Sequence, residues 1–468
     1  MHPLSQRIAA VLDLDPGAPA IEYDGRWSSW GELAVATRRV ASTIGVGTRA
    51  GILLRNTPGH VAATLGVLLA GGCVVVINPS RGEDRITSDI AGLDLDTILD
   101  PAADLETSPA TRTGTAHDGA ASGVAVRMLT SGTTGEPKRV DITYDMLAIS
   151  VLGSASADLP APTTSRRGVA IVNAPLVHIG GIYRVLQCIV EARPFALLPR
   201  FELTAWADAV RRHRPKTVSL VPAALRMVLH SDLGRDDLAG IRAVTSGTAP
   251  LSADDAESFT AKFGIPVLTS YAATEFGGGV AGWTLADHQR FWQRKRGSVG
   301  RATLGARLRV VTEDGAVLGP DEPGLLEVIP GQLGPDAGWM RTTDLARIDA
   351  DGFVWILGRA DQAIIRGGFK VLPDDVRTAL ESHPGVLGAA VVGRADERIG
   401  ETPVALVELA HASVSEAELR EFLRTRLAPY EIPSQIMVVD AIPRTPSGKA
   451  DLSAVRAHFD DPAARHAH

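Results

Sequence analysis

Apolar and polar residues recur along this chain with two periods, and the switches between them mark out its elements. Ser29 and Glu32 have the spacing of a capping box, and Leu33, Thr37, Val40, Ala41 and Ile44 follow at helical intervals until Gly45, which predicts an amphipathic helix. A strand over Gly51 to Leu54, a helix from about Gly59 to Ala70, a strand over Cys73 to Ile77 and a polar segment around Arg81 to Asp89 continue a β/α alternation. The uncharged stretch from Val61 to Pro79 is long enough to suggest a membrane span. Gly71 and Gly72 divide it into a helix-like half and a β-branched half, so helix, turn and buried strand is the better reading, with no membrane span. Residues 101–122 and 154–167 are polar or aperiodic and read as loops.

The alternation resumes with strands over Val169 to Val172, Thr217 to Val221, Ile241 to Thr245 and Val267 to Ser270. Between them, Ile182, Val185, Leu186, Ile189 and Val190 share one helical face, and Pro222 opens a further helix. Short strands around Arg307 to Val311 and Leu325 to Ile329, with Asp351-Gly352 as a hairpin turn, predict a small β subdomain. From Gln362 the periodicity starts afresh. A glycine-interrupted strand from Ile364 to Val371, a helix from Pro373, strands at Ala389 to Val392 and Val404 to Leu409, and a second capping box at Ser415 and Glu418 predict a small α+β domain.

Composition narrows the class. At 468 residues the chain exceeds a single compact core. A net charge of −7 argues against a general nucleic-acid role, so anionic substrates must be met by local sites. The two cysteines, Cys73 and Cys188, lie in apolar runs and make no disulfide framework, and Met1 to Pro16 contains no apolar signal core; both point to a cytoplasmic protein.

The chemistry concentrates in Met128-Leu129-Thr130-Ser131-Gly132-Thr133-Thr134-Gly135-Glu136-Pro137-Lys138, which interrupts an apolar run before β-branched residues resume at Val140. Glycines let successive N–H groups converge on an anion, the hydroxyls of Ser131, Thr133 and Thr134 add donors, and Lys138 adds a charge, so the natural guest is a polyphosphate. The string is not the common Gly-x4-Gly-Lys-Ser/Thr loop, because Lys138 leads into a strand rather than a helix. It resembles the phosphate loop of the adenylate-forming (ANL) superfamily: acyl-CoA synthetases, peptide-synthetase adenylation domains and firefly-type luciferases. Other strings resemble the same family in the same order over nearly the whole chain. They are Pro175-Leu176-Val177-His178-Ile179-Gly180-Gly181, Ser246-Gly247-Thr248-Ala249-Pro250, Tyr271-Ala272-Ala273-Thr274-Glu275, Arg341-Thr342-Thr343-Asp344, Gly358-Arg359-Ala360-Asp361 and Pro443-Arg444-Thr445-Pro446-Ser447-Gly448-Lys449.

The resemblance implies an α/β fold: a large N-terminal domain, 1–360, of doubly wound sheets plus a small β subdomain, and a smaller, mobile α+β C-terminal domain, 361–468, with the hinge near Asp361. It implies that Gly247, Thr248 and Ala249 line adenine, that Tyr271 stacks on it with Ala272 next to the base, that Thr274 touches the α-phosphate, and that Asp344 and Arg359 hold the ribose or a phosphate. It further implies Mg²⁺ at Glu275 and Thr130, Lys449 on an exposed loop as the catalytic lysine, and His178 where acyl group and thiol meet. Gly367 and Gly368 would leave room for the pantetheine arm of coenzyme A after the small domain rotates. Ile179 and Tyr183, with Gly277 and Gly278 supplying open space, would form the acyl pocket.

The family commonly has Gly at Ala272 and Thr343 and an acid at Leu325, so a tilted base, an altered path before Asp344 and a missing local salt bridge are expected. The implied activity is ATP-dependent formation of acyl-AMP from a carboxylic acid, then thioester formation with CoA. Val177-His178-Ile179 lacks the Asp that amino-acid adenylation domains place there, which favours an acid without an ammonium. Loading of a separate carrier protein and a non-catalytic adenylate-binding role are the alternatives, and luciferase-like oxygenases share these motifs.

Overall fold

The computed structural model describes residues 1–80, 83–107, 109–113, 123–130, 138–153, 160–396, 398–410, 414–445 and 448–460. The first core is built on a six-stranded sheet. Arg49–Leu53 and Cys73–Ile77 pair in parallel at its centre, flanked by Thr97–Asp100 and Val124–Thr130. Helix Pro58–Leu69 joins the central strands and is buried on nearly every face, which is why its sequence is apolar all round. Among the described residues, no helix is long and apolar enough to cross a membrane. Helix Trp30–Ala41 carries the expected reciprocal cap between Ser29 and Glu32, but it ends at Ala41, short of Gly45.

Both edges of this sheet are antiparallel. Lys138–Thr143 pairs with Val124–Thr130, and Ala110–Thr113 pairs with Thr97–Asp100. The second pairing corrects the reading of 101–122 as loop throughout. Thr111 and Thr113 favour a strand locally, and the neighbouring strand offers the unpaired backbone groups that so short a segment needs.

A five-stranded sheet follows. Thr217–Ser219, Ala243–Ser246 and Val267–Ala273 run parallel, and Gly278–Gly282 and Arg301–Ala302 close it antiparallel. Ala170–Val172 and Phe195–Leu197 belong elsewhere, in a four-stranded sheet with the N-terminal hairpin Pro19–Tyr23 and Arg26–Ser29.

The small β subdomain is a four-stranded antiparallel sheet of Arg307–Val311, Gly324–Ile329, Met340–Ile348 and Val354–Arg359. The salt bridge expected to be missing at Leu325 is supplied two residues on. Glu327, buried on this sheet, accepts from Arg309 at 2.8 Å and from Arg341 at 3.0 Å. Arg309 and Arg341 stand directly opposite Glu327 in the sheet register, whereas Leu325 faces Val311 and Leu345.

The C-terminal unit is an α+β sandwich around Val386–Asp396 and Gly400–Leu409. Helices Pro373–Glu381 and Glu416–Arg424 cover one face and Leu452–Asp460 the other, as the alternating burial of the strands requires. Ser415 and Glu418 form the second capping box. Gly367 and Gly368, at φ +57° and +87°, make a two-residue turn between Ile364–Arg366 and Phe369–Val371. Both central positions of such a turn need the left-handed region, which only glycine enters without strain.

Candidate active site

The candidate site lies where the parallel strands of the second sheet, the β subdomain and the small domain meet. Strand Val267–Ala273 continues through Tyr271, Ala272 and Ala273 before a single 3₁₀ turn, Thr274–Phe276, and Gly278–Gly282 folds back against it. The strand expected to end at Ser270 therefore extends three residues further, and Thr274–Phe276 forms the tip of a hairpin. The hairpin leaves Ala272 and Glu275 exposed and Thr274 half-buried, with Phe276 in the core beneath. Ala272 pairs with Gly279, and its methyl is open to solvent.

Tyr271 and Asp344, 73 residues apart, are brought together: the tyrosine hydroxyl donates to Asp344 Oδ2. Burial pushes the Asp344 carboxyl above the ordinary range, against the pull of the Tyr271 hydrogen bond and of Arg359. Burial first, and then the neighbouring carboxylate, raises the Tyr271 phenol as well. Met340–Ile348 continues as one strand through Thr343 and Asp344, but its register against Gly324–Ile329 slips there, with Arg341 facing Glu327 and Leu345 facing Leu325, so the path just before Asp344 is bulged at the threonine. Its hydroxyl accepts from Arg359 Nη2 at 2.8 Å. The same guanidinium makes a bidentate pair with Asp361, 2.9 and 2.7 Å, so the expected hinge residue is held by the last residue of the preceding strand.

Lys449 enters this cluster from the small domain. Gly448 has φ +80°, and a side chain there would lie 3.5 Å from Val221 Cγ2, which places the lysine loop against the start of helix Pro222–Leu229. Lys449 keeps solvent-accessible surface while protein crowds its ammonium end. Burial and the charge of Arg359 push its pKa below 10.5, while Glu275 and Asp344 act in the opposite sense. A cation, two carboxylates and a guanidinium from four separate strings thus converge.

The turn expected to line adenine is a strained one. Thr248 has φ +72°, uncommon for a threonine, and Gly247 stands where an added Cβ would meet Ser270 Oγ at 2.9 Å. A side chain at 247 would need the exposed Ser270 hydroxyl to turn aside, and Ala249 nearby is half-buried. His178 is half-buried as the N-cap of helix Ile179–Val190. Gly181 in its first turn has no room for a side chain, because a Cβ would come within 2.2 Å of the Pro175 carbonyl oxygen. Asn56, which no motif in the sequence marks, braces this segment from the first sheet. Its amide donates to Ala174 and Leu198 carbonyls at 3.0 Å each and accepts from Leu176 N–H at 2.8 Å. An asparagine between two apolar elements, buried here, was the available signal.

The acyl pocket needs correction. Gly277 and Gly278 do not face open space. A Cβ on Gly277 would meet Met146 Cε at 2.4 Å, and one on Gly278 would meet Ser150 Oγ at 2.9 Å and Gln332 Nε2 at 3.1 Å. Ser150 Oγ and the Tyr183 hydroxyl both donate to the Gly277 carbonyl, and Gln332 Nε2 donates to that of Gly279. Helix Tyr144–Leu152 and the turn Gly331–Leu333 therefore fill the volume the glycines leave, and only Gly279 keeps clear space, with nothing nearer than 4.0 Å. No spacing within the 271–279 string announces partners more than a hundred residues earlier in the chain. Tyr183 does lie at this wall through its bond to the Gly277 carbonyl, and Ile179 is half-buried at the start of the same helix.

The phosphate-loop residues Ser131, Gly132, Thr133 and Thr134 lie outside the described residues. Thr130 and Lys138 are the facing ends of the two antiparallel strands that lead into and out of that segment, and Gly367 and Gly368 are exposed at the tip of the small domain's hairpin.

Residues 9–329 match the AMP-binding enzyme family and residues 375–449 its C-terminal domain, and the chain belongs to this family. It is 29% identical to 4-coumarate–CoA ligase 1 of Oryza sativa subsp. japonica over 94% of this chain and 77% of that protein. It is 28% identical to the 2-succinylbenzoate–CoA ligase of Bacillus subtilis (strain 168) over 93% of this chain and 94% of that one. Among solved structures, ATP-bound MatB from Rhodopseudomonas palustris superimposes with a TM-score of 0.82 at 26% identity, covering 98% of this chain and 99% of that one. The o-succinylbenzoate CoA synthetase MenE of Bacillus subtilis, in complex with its acyl-adenylate OSB-AMP, superimposes at 0.76 and 26% identity, covering 98% of each chain.

Proposed function

We propose that this chain, an AMP-forming acid–CoA ligase, activates an aromatic or apolar carboxylic acid without an α-amine. The reaction joins the acid's carboxylate to the α-phosphorus of ATP, releases pyrophosphate, and then passes the acyl group to the CoA thiol with release of AMP. The observation that carries the site assignment is the docking of Lys449 beside Arg359, Glu275 and Asp344, which collects both signs of charge at one cleft.

In this reading Lys449 offsets the charge that builds on the α-phosphate during attack. The half-buried Asp344, oriented by Tyr271, accepts the ribose hydroxyls, with Arg359 alongside. Thr248, Gly247 and Ala249 form the wall for adenine, with the Tyr271 ring opposite; Thr274 reaches the α-phosphate, and 130–134 with Lys138 cradle the other phosphates. Among the described residues, no group of three or more carboxylate, imidazole or thiol side chains could hold a metal. That fits Mg²⁺ held chiefly by the triphosphate, with Glu275 as a hard oxygen ligand and Thr130 near it. The ion would neutralise phosphate charge when bound.

The acid class rests on the wall at Gly277. Met146 and Phe276 are packed into the core behind it, the hydroxyls of Tyr183 and Ser150 are spent on the Gly277 carbonyl, and the half-buried ring of Tyr183 is the apolar surface that remains. Each buried methylene of an apolar acid gains roughly 0.8 kcal/mol there, whereas an unpaired ammonium would cost several times that. The relatives named for 4-coumarate and 2-succinylbenzoate act on aryl acids, which supports the same class. Initial rates of CoA-dependent AMP release should be highest for aryl or short apolar acids in a panel that also holds linear, polycyclic and amino acids. An amino acid with the highest kcat/KM would replace this reading with carrier loading.

A further inference from the structure

A buried ionic network joins the two domains away from the reacting groups. Arg226, on helix Pro222–Leu229, donates through Nε to Asp255 Oδ2 at 2.7 Å and through Nη2 to Glu381 Oε2 at 2.6 Å. Glu381 ends the small domain's helix Pro373–Glu381 and is 155 residues away in sequence. The two side chains keep only 8% and 3% of their surface exposed, so water screens little of this contact. Glu381 is further held by Arg377 Nη1 at 2.5 Å and by the Ala389 N–H at 3.3 Å, and Arg377 also donates to Asp374 at 3.0 Å.

We propose that Arg226 and Glu381 form a releasable latch that positions Lys449 for adenylation. The inference rests on the reading above, in which Lys449 serves the first half-reaction and the small domain then turns. Two features of the network carry it.

The first is placement. Helix Pro222–Leu229 meets the lysine loop at its start, near Val221, and holds Arg226 one turn further along, so one rigid element receives both contacts. The small domain's helix has Glu381 at one end, and at the other Asp374 Oδ2 comes within 3.8 Å of where a side chain on Gly358 would lie, next to Arg359 and the hinge. That helix spans from hinge to latch, and fixing its far end fixes the rotation of the domain that carries Lys449.

The second is charge balance. A buried pair is costly to break when a charge is left alone, and here none is. If the domains part between Arg226 and Glu381, Arg226 retains Asp255, and Glu381 retains Arg377 and the Ala389 N–H. The contact is thus strongly directional when docked and cheap to release, which suits a domain that must occupy two positions in one turnover and does not suit a permanent structural weld.

Glu381→Gln is the cleanest test, since it preserves shape and leaves every arginine with a carboxylate partner. In single turnover with the acid that the wild type uses fastest, pyrophosphate release should slow by about tenfold, the scale of one charge-assisted hydrogen bond. Transfer to CoA from supplied acyl-adenylate should stay unchanged or rise. Arg226→Gln should show the same split, and the double variant should be no slower than Arg226→Gln alone. Backbone amides of 373–381 should exchange hydrogen faster in Glu381→Gln, with 404–409 unchanged. Equal loss in both half-reactions, or unchanged rates with unchanged exchange, would overturn the latch. If the wild type releases no pyrophosphate with any acid, the functional reading fails by itself, and the exchange experiment still decides whether Glu381 holds the helix.

Discussion

Replacing Lys449 by alanine tests the division of labour at the site most directly. The ammonium sits in a partly solvated cleft, so its attraction for a new negative charge about 4 Å away is close to 4 kcal/mol at an effective dielectric of about 20. Arg359 acts on the same cleft and survives the substitution, and Lys449 is itself solvent-accessible, so part of that energy is recovered by the remaining cation and by water. A net loss of about 3 kcal/mol, or roughly a hundredfold, is expected in adenylate formation. The assay is pyrophosphate release in single turnover, set beside AMP release from supplied acyl-adenylate and CoA, which the variant should perform at close to the wild-type rate. The pH profile adds a check. The folded environment lowers the Lys449 pKa, so the positive charge is lost, and the rate falls, as pH rises through a value below 10.5. Lys449→Arg should retain part of the activity and move that alkaline limb upward. A comparable loss in both half-reactions of Lys449→Ala would refute the assignment.

Two other outcomes are expected. Gly367→Leu places a side chain near Ile399 alone, at 3.9 Å, so the only folding cost is that of φ +57°, about 1 kcal/mol; thioester formation should fail while acyl-adenylate accumulates, and an equal fall in adenylation would make the glycine purely structural. His60, 1% exposed and bonded through Nδ1 to the Thr57 hydroxyl at 2.7 Å, has its imidazole pushed down to about 4, by burial first and Arg55 next. Between the unfolded value near 6.5 and pH 4 the unfolded chain binds a proton that the folded one refuses, so stability falls on acidification by up to about 3 kcal/mol. Urea midpoints at pH 7 and pH 5 should separate further in the wild type than in His60→Gln, and equal separations would show that another group governs the acid limb.

Much of this molecule is legible in the amino-acid sequence. The capping boxes at Ser29–Glu32 and Ser415–Glu418, the strand Cys73–Ile77 and the helix opened by Pro373 depend on neighbours within a few residues, so the local string determines them. The turn strings are legible for a related reason: a glycine at positive φ is written where the chain reverses, as at Gly367. Tertiary structure alone decided how those strings meet. The space beside Gly277 belongs to Met146, the edge partner of Thr97–Asp100 is Ala110–Thr113, and Arg226 faces Glu381 across a domain boundary. An arginine on an amphipathic helix has the same local pattern whether water or a distant carboxylate receives it. A glycine leaves the same gap whether a substrate or a methionine fills it. Sequence determines the preferences of each element, and the long-range packing that buries them together chooses which partner each polar group and each cavity receives.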